Sequence, residues 1–540
     1  MKTRRSPRIF PSRLLIIAAI PMAGVLPAGC APRAQSDPAA IFRQAAPEAP
    51  RPEARPPARR AGQRPAPSDR PLELTVEEAV LRALENNRAL AVQRHNPEIV
   101  QTFEDQERAF FDPTLTGRLT EEAARDHRTP GGSGDGSYSS TATGGSAGVR
   151  KRLPTGTTIE VGAEAESATS TIEDDRTTAS RLGLTVTQAL LRGRGVSVNT
   201  ASLRQAELDT LASKYELHGF AEALAAEAEL AYWDYALAGR QIEIFEQSLE
   251  LAEQQQREVE ERIRLGNVAE SELAAAKAEV ALRKEDLINA RSTLAGNRLR
   301  LLRLTNETAP GSWEREVVLK DHPAVPEAEP DAVEAHVELA LQRRPDLNEA
   351  RVGVKRGELE IVKTKNGLLP RMDLFITLGK TGYARSFFDS VEDVGGPHYD
   401  ALAGVSLEYP FGNRDAKARN RRATLSLSRS NEAVANLEQL VELDVRLVYI
   451  EANRAKEQIA ATAATRALQE EKLRSETEKF RVGKSTSLLV AQAQRDLVAS
   501  RIAEIRAIVN YLKAIVDLHR QDGSLLERRG VAAPGGIETD

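Results

Sequence analysis

Apolar residues between Leu217 and Leu249 step by three and four: Leu217, Phe220, Leu224, Ala228, Ala231, Tyr235, Ala238, Ile242, Phe245, Leu249. That spacing is the 3.5-residue period of a coiled-coil seam. It predicts a nearly continuous helix from Val196 to Arg264, roughly 100 Å long at the usual rise per residue. The seam returns at Val434, Leu437, Val441, Val445, Val448, Ala452, Ala455 and Ile459. Small residues recur on both seams, so neighbouring helices can approach closely. Each helix runs into the same motif: residues 261–266 (ERIRLG) recur as 478–483 (EKFRVG). The match continues without a gap, with Ala274 against Ala491, Ala276 against Ala493 and Glu279 against Asp496. Each copy therefore reads as helix, glycine turn, helix. Such a unit cannot bury its apolar stripe alone and must pack against copies of itself. Gly266 and Gly483 stand where the helices reverse, and a helix end of this kind favours a residue that tolerates positive φ.

Elsewhere the period drops to two, the mark of half-buried strands. Met372, Leu374, Ile376 and Leu378 alternate with Asp373, Phe375, Thr377 and Gly379; Ala403, Val405, Leu407 and Tyr409 alternate with Gly404, Ser406 and Glu408. In the first half, Ile159, Val161, Ala163 and Ala165 alternate with Glu160, Gly162, Glu164 and Glu166. Leu182, Leu184 and Val186 alternate with Gly183, Thr185 and Thr187. Weaker strand signals lie at 113–119 and 140–149, and the Gly/Ser-rich run from Gly131 to Gly145 reads as a loop. The second repeat thus offers two strands and the first about four. Strands of about 8–11 residues suffice to cross an outer membrane when tilted. The alternation fits a soluble sandwich or a membrane barrel with a polar lumen. Two to six strands cannot enclose a pore, so a barrel would need several chains.

Helix starts repeat as well. Thr75 and Glu78 have capping-box spacing, and Asp331 with Glu334 resembles a second start. Ala83 aligns with Ala340, an offset of 257, whereas Gly266 aligns with Gly483, an offset of 217. The first repeat therefore holds roughly 40 extra residues, and they fall in its strand region.

Composition narrows the classes. Of 540 residues, 4% are aromatic and 28% charged, which suits long solvated helices better than several thick cores. A net charge of −5 gives no footprint for nucleic acid. Seven histidines lie apart and one cysteine is present, so no metal cluster or cofactor site is expected. No nucleophile elbow, P-loop or HExxH motif occurs, and no enzyme is expected. Lys2, Arg4, Arg5, Arg8 and Arg13 precede an apolar run at 14–26, the grammar of a signal peptide over 1–29. Ala28-Gly29-Cys30 resembles a bacterial lipobox, with Pro27 where an aliphatic residue is usual; Cys30 is the expected lipidation site. Residues 30–70 are rich in Pro, Ala and Arg and read as a disordered tether. Repeat one then spans 71–325, repeat two 326–525, and 526–540 reads as a disordered tail.

An ordered set of short motifs carries a resemblance. It comprises Phe111-Asp112-Pro113 before the first strands, 182–195 (LGLTVTQALLRGRG) entering the long helix, Arg344-Pro345-Asp346-Leu347 and Leu369-Pro370. The paired tips Arg264-Leu265-Gly266 and Arg481-Val482-Gly483 complete it. From about Leu72 to Leu525 the chain resembles the TolC-like outer-membrane efflux proteins. The resemblance implies an α+β, mainly α fold of duplicated helix–strands–helix repeats. It implies a homotrimer that forms a β-barrel in outer-membrane lipid and a periplasmic α-helical barrel. It implies a periplasmic adaptor at the six tip residues and an inner-membrane pump of RND or ABC type. The family's pinch, often aspartates beyond the second glycine, falls here on Leu488, Leu489 and Gln492. Those side chains either line an apolar constriction or pack the hairpin. The usual two strands per repeat are exceeded in repeat one. A periplasmic adaptor and a structural coiled-coil envelope lipoprotein are the alternatives; two hairpins in series argue against the adaptor.

Overall fold

Thr75 opens the first helix through a reciprocal cap: its Oγ1 accepts from the Glu78 N–H at 3.1 Å, and Glu78 accepts from the Thr75 N–H at 3.0 Å. These contacts come from a computed structural model that describes residues 71–127, 137–170, 176–266, 269–305, 312–326 and 330–532. Cys30, the signal peptide and the tether fall outside the described residues. Strand β1 (Leu72–Leu74) leads into α1 (Val76–Asn86), which buries Val76, Ala79, Val80, Ala83 and Leu84, the three-and-four spacing of one helix face. Asn87 then caps α2 (Arg88–Ala109), accepting from the N–H groups of Ala89 at 2.9 Å and Leu90 at 3.3 Å.

Four strands follow: β2 (Thr114–His127), β3 (Ser137–Arg152), β4 (Thr157–Ser170) and β5 (Thr177–Ala189). The short helix α3 (Val196–Asn199) and the long α4 (Ala201–Arg264) are separated only by Thr200, so the nearly continuous helix expected from Val196 has one single-residue break. Helix α5 (Ser271–Thr305) returns along α4, and β6 (Val317–Leu319) closes the first repeat by pairing in parallel with β1. The second repeat comprises α6 (Val333–Arg343), α7 (Pro345–Gly367), β7 (Arg371–Ala384), α8 (Phe387–Asp393), β8 (Tyr399–Glu408), α9 (Arg414–Arg481), α10 (Ser487–Gln521) and α11 (Leu525–Arg528).

The two long hairpins bury the predicted seams. Leu217, Leu224, Ala228 and Ala238 are buried on α4, as are Val441, Val445, Ala452 and Ala455 on α9. Helix α4 is covered on a second face too, where Ala221, Ala225, Tyr232 and Ala236 meet α1, α5 and α10. The β1–β6 pair sits on this core. The Tyr232 hydroxyl donates to the Leu74 carbonyl at 3.2 Å and accepts from the Asp321 N–H at 3.1 Å, and Tyr235 donates to the Val317 carbonyl at 2.9 Å. Buried tyrosine hydroxyls need such partners, and here they fix two three-residue strands too short to read from alternation.

Four readings are corrected. Residues 137–145 are strand, not loop: β3 pairs with β2 and β4 through them, and the neighbour's bulk fills the space their small side chains leave. A Cβ on Gly145 would lie 3.1 Å from the Leu119 Cδ2. Asp331 does not cap α6, whose N-cap is Ala332 without a side-chain bond; the Asp331 carboxylate instead lies 3.8 Å from Arg528. The tail read as disordered from 526 begins inside the core. Leu525 and Leu526 are buried with Val80 and Leu224, Val531 packs against them, and Arg529 pairs with the buried Glu229 at 2.9 Å. The strands, at 10 to 16 residues, are mostly longer than expected, because the far halves of β2 and β3 continue as polar sequence.

Candidate channel wall, hairpin tips and constriction

One antiparallel sheet joins the repeats in the order β2-β3-β4-β5-β7-β8. Its register separates the side chains by face. A row of directly opposed residues runs Leu115, Val149, Val161, Leu184, Leu378 and Ala401; a second runs Ile159, Val186, Ile376 and Ala403. This face is apolar and largely open, with Leu115 77% and Leu119 90% exposed; at its far end α8 covers it, the Ser390 hydroxyl meeting that of Ser180 at 2.6 Å. The opposite face carries Arg118, Arg150, Glu160, Glu164, Arg181, Thr185, Thr377 and Asp400. Arg150 pairs with its cross-strand neighbour Glu160, and Arg181 reaches Asp400 at 2.5 Å. Exposed aromatics bracket the apolar band: Phe110, Tyr409 and Phe411 at the helix end, Phe387, Phe388 and Tyr399 at the far end. From Tyr399 to Tyr409 a tilted strand rises roughly 25 Å, the height of a hydrocarbon band between aromatic girdles. Among the described residues no helix is long and apolar enough to cross a membrane.

At the other end of the hairpins the paired glycines carry the turns. Gly266 has φ +72° and Gly483 φ +74°. The Gly483 N–H donates to the Phe480 carbonyl at 3.1 Å and the Lys484 N–H to the Lys479 carbonyl at 2.8 Å, the double bond of a Schellman ending. Gly266 makes the equivalent bond to Ile263 at 2.9 Å. The tips present matching surfaces. Arg264 pairs with Glu261 at 2.7 Å and Arg481 with Glu478 at 2.8 Å, while Leu265 and Val482 are 69% and 68% exposed. Arg262 joins the two hairpins: its guanidinium lies 4.6 Å from the centre of the Phe480 ring and its Nη1 donates to the Phe480 carbonyl at 3.4 Å. Phe480 is buried with Val259, Ala276 and Val490. This link escaped the sequence reading; the one signal for it was an aromatic residue where the other copy has Ile263.

Thr486 caps α10, its Oγ1 accepting from the Leu489 N–H at 3.4 Å. The first turns then split by face. Val490 and Ala493 face the buried tip cluster, whereas Leu488, Leu489 and Gln492 are exposed. Within the single chain Leu488 is 58% and Leu489 46% exposed. The corresponding positions of the first copy include Glu272, which accepts a hydrogen bond from the Ser487 hydroxyl.

A helical wall roughly 100 Å long, continued by a sheet with one lipid-compatible face and one charged face, is the build of an outer-membrane channel. Residues 336–524 match the family described as outer membrane efflux protein. The fold as a whole is similar to the outer-membrane channel OprN (18% identity, TM-score 0.63, 83% of this chain and 90% of that one). It is also similar to VceC of Vibrio cholerae (14%, 0.62, 83% and 96%) and to the CmeC channel of Campylobacter jejuni (14%, 0.62, 86% and 87%). No curated relative matches by sequence. The second repeat thus carries the family's sequence pattern, and the chain as a whole has the fold of these outer-membrane channels.

Proposed function

We propose that three copies of this chain form the exit duct of a tripartite efflux or type I secretion system, anchored in the outer membrane and reaching through the periplasm. The observation that carries this reading is the continuity of the apolar, girdled sheet with two helical hairpins of nearly equal length. An adaptor built around one hairpin would not need that sheet, and neither would a structural coiled coil. Helix α9 supports the assembly. Leu440, Leu443, Leu447 and Ile450 repeat by three and four and are each 45% exposed or more, a second seam facing away from the hairpin core. A neighbouring copy is the natural cover for it.

In this reading the glycine tips receive a periplasmic adaptor. Leu265 and Val482 supply apolar anchors, and the Arg264–Glu261 and Arg481–Glu478 pairs form a polar rim. The inner-membrane pump, of RND or ABC type, supplies the energy; the duct carries out no covalent chemistry. Leu488 and Leu489 form an apolar constriction just inside the mouth, with Gln492 in place of a carboxylate, so the gate binds cations weakly and responds little to acid. Cys30 carries the lipid that tethers the chain to the outer membrane.

Fractionation of native membranes followed by gel filtration tests the assembly. The protein should sediment with the outer membrane and elute from detergent as a heat-modifiable trimer. A soluble or inner-membrane monomer rejects the duct.

A further inference from the structure

The extra residues of the first repeat set the width of the pore. Six strands lie in one unbroken antiparallel sheet, and among the described residues the outer edges of β2 and β8 have no strand neighbour. Within hydrocarbon no water can satisfy those edge N–H and C=O groups, so an open edge there is untenable. One chain cannot close on itself, because six strands leave no interior for Arg118, Arg150, Glu164 and Arg181. The strand count is even: β2 leaves the helices and β8 returns to them. The β8 edge of one copy therefore meets the β2 edge of another in antiparallel sense. The faces match too, since Leu115 and Leu119 share the apolar side with Val405 and Leu407.

The added strands are built into the channel end of the helices. The turn between β3 and β4 docks on the strand-to-helix junction of the same repeat. Asn199 Nδ2 donates to the carbonyls of Pro154 at 2.9 Å, Gly193 at 2.8 Å and Gly195 at 3.0 Å. The Gly195 N–H donates to the Thr155 carbonyl at 3.2 Å and the Ala189 N–H to that of Gly156 at 3.1 Å. Gly156 has φ +89° and passes so close to the Gly193 carbonyl that a Cβ would collide with it. Arg152 then lies over the Phe110 ring at 4.6 Å, fixing β3 to the end of the helix that leads into β2.

We propose that three copies, each contributing six strands, close a single eighteen-stranded barrel by pairing β8 of each copy with β2 of the next. This rests on the trimeric duct argued above. Two strands per repeat would give twelve. Barrel diameter grows nearly linearly with strand number, so the pore is about 1.5 times as wide and falls in the size class that holds an open aqueous channel. The sheet is then not the sieve; the narrowest passage lies among the helices.

Two measurements decide it. A density map of the detergent-extracted wild-type protein should show eighteen strands around the pore. A trimer with twelve strands and the β2–β3 hairpin outside the wall overturns the proposal while leaving the duct intact; a monomer overturns the duct itself. In parallel, cysteines at lumen-facing positions on the two edges, Thr116→Cys or Arg118→Cys with Gly404→Cys or Ser406→Cys, should yield covalent trimers on a non-reducing gel. Single-cysteine variants control for Cys30. Only compact disulfide-closed monomers would show β2 and β8 pairing within one chain and would also overturn it.

Discussion

Glu222 shows what single residues contribute to the core. It is buried on α4, 3.7 Å from His218, with Arg344 and Asp346 approaching from the start of α7 and Arg520 and Asp522 from the end of α10. Burial, then the Asp522 carboxylate, pushes its pKa up to about 8. A folded-state pKa raised above the ordinary 4.5 adds stability that is complete below that value and is lost as pH climbs through 8. His519, held down to about 4 by burial first, works the other way. Its contribution is present above the ordinary 6.5 and fades as pH falls through 4, so the range from 6.5 to 8 isolates the acids. Thermal unfolding there should show stability falling by up to about 1.4 kcal/mol per pH unit from this one group. Glu222→Gln should flatten the profile, and an unchanged slope would contradict the assignment. The sequence shows Glu222 only as one of many carboxylates on helix faces. Its burial depends on the start of α7 and the end of α10 closing over α4, which the seam periodicity does not encode. The tip glycines, by contrast, were legible, because duplication marked them and positive φ explains them.

Helices with long seams read well from the chain, and elements without periodicity did not. The stripes at 217–249 and 434–459 are long enough to outvote local noise, and their positions are buried or half-buried. Strands β1 and β6 and helix α11, at three or four residues each, carry no period and are held by Tyr232, Tyr235 and the Arg529–Glu229 pair. Strand β3 was part hidden because glycine, serine and threonine give it weak alternation. The second seam on α9 supplies a prediction at this scale. Leu443→Glu with Leu447→Glu alters only positions already exposed in the chain, so monomer stability should change little. The trimer should be lost, which blue-native electrophoresis would show as a shift to monomer; a trimer that persists would place the seam in solvent.

For the whole molecule, duplication and the unequal offsets of its two halves were enough to locate the hairpins, the strand region and the excess length of repeat one. They could not show which strand edges stay open, because that depends on pairing between distant segments. Nor could they choose between Leu488 and Leu489 as packing or lining. The structure turns both side chains away from Val490 and Ala493 and leaves them exposed. In the proposed duct the passage narrows at these two leucines. Single-channel recording in planar bilayers measures that narrowing. Purified wild-type trimers should pass current in small steps, and Leu488→Ala with Leu489→Ala should enlarge the steps severalfold. Equal conductance in the two proteins would contradict the constriction, and no conductance in either would contradict the duct.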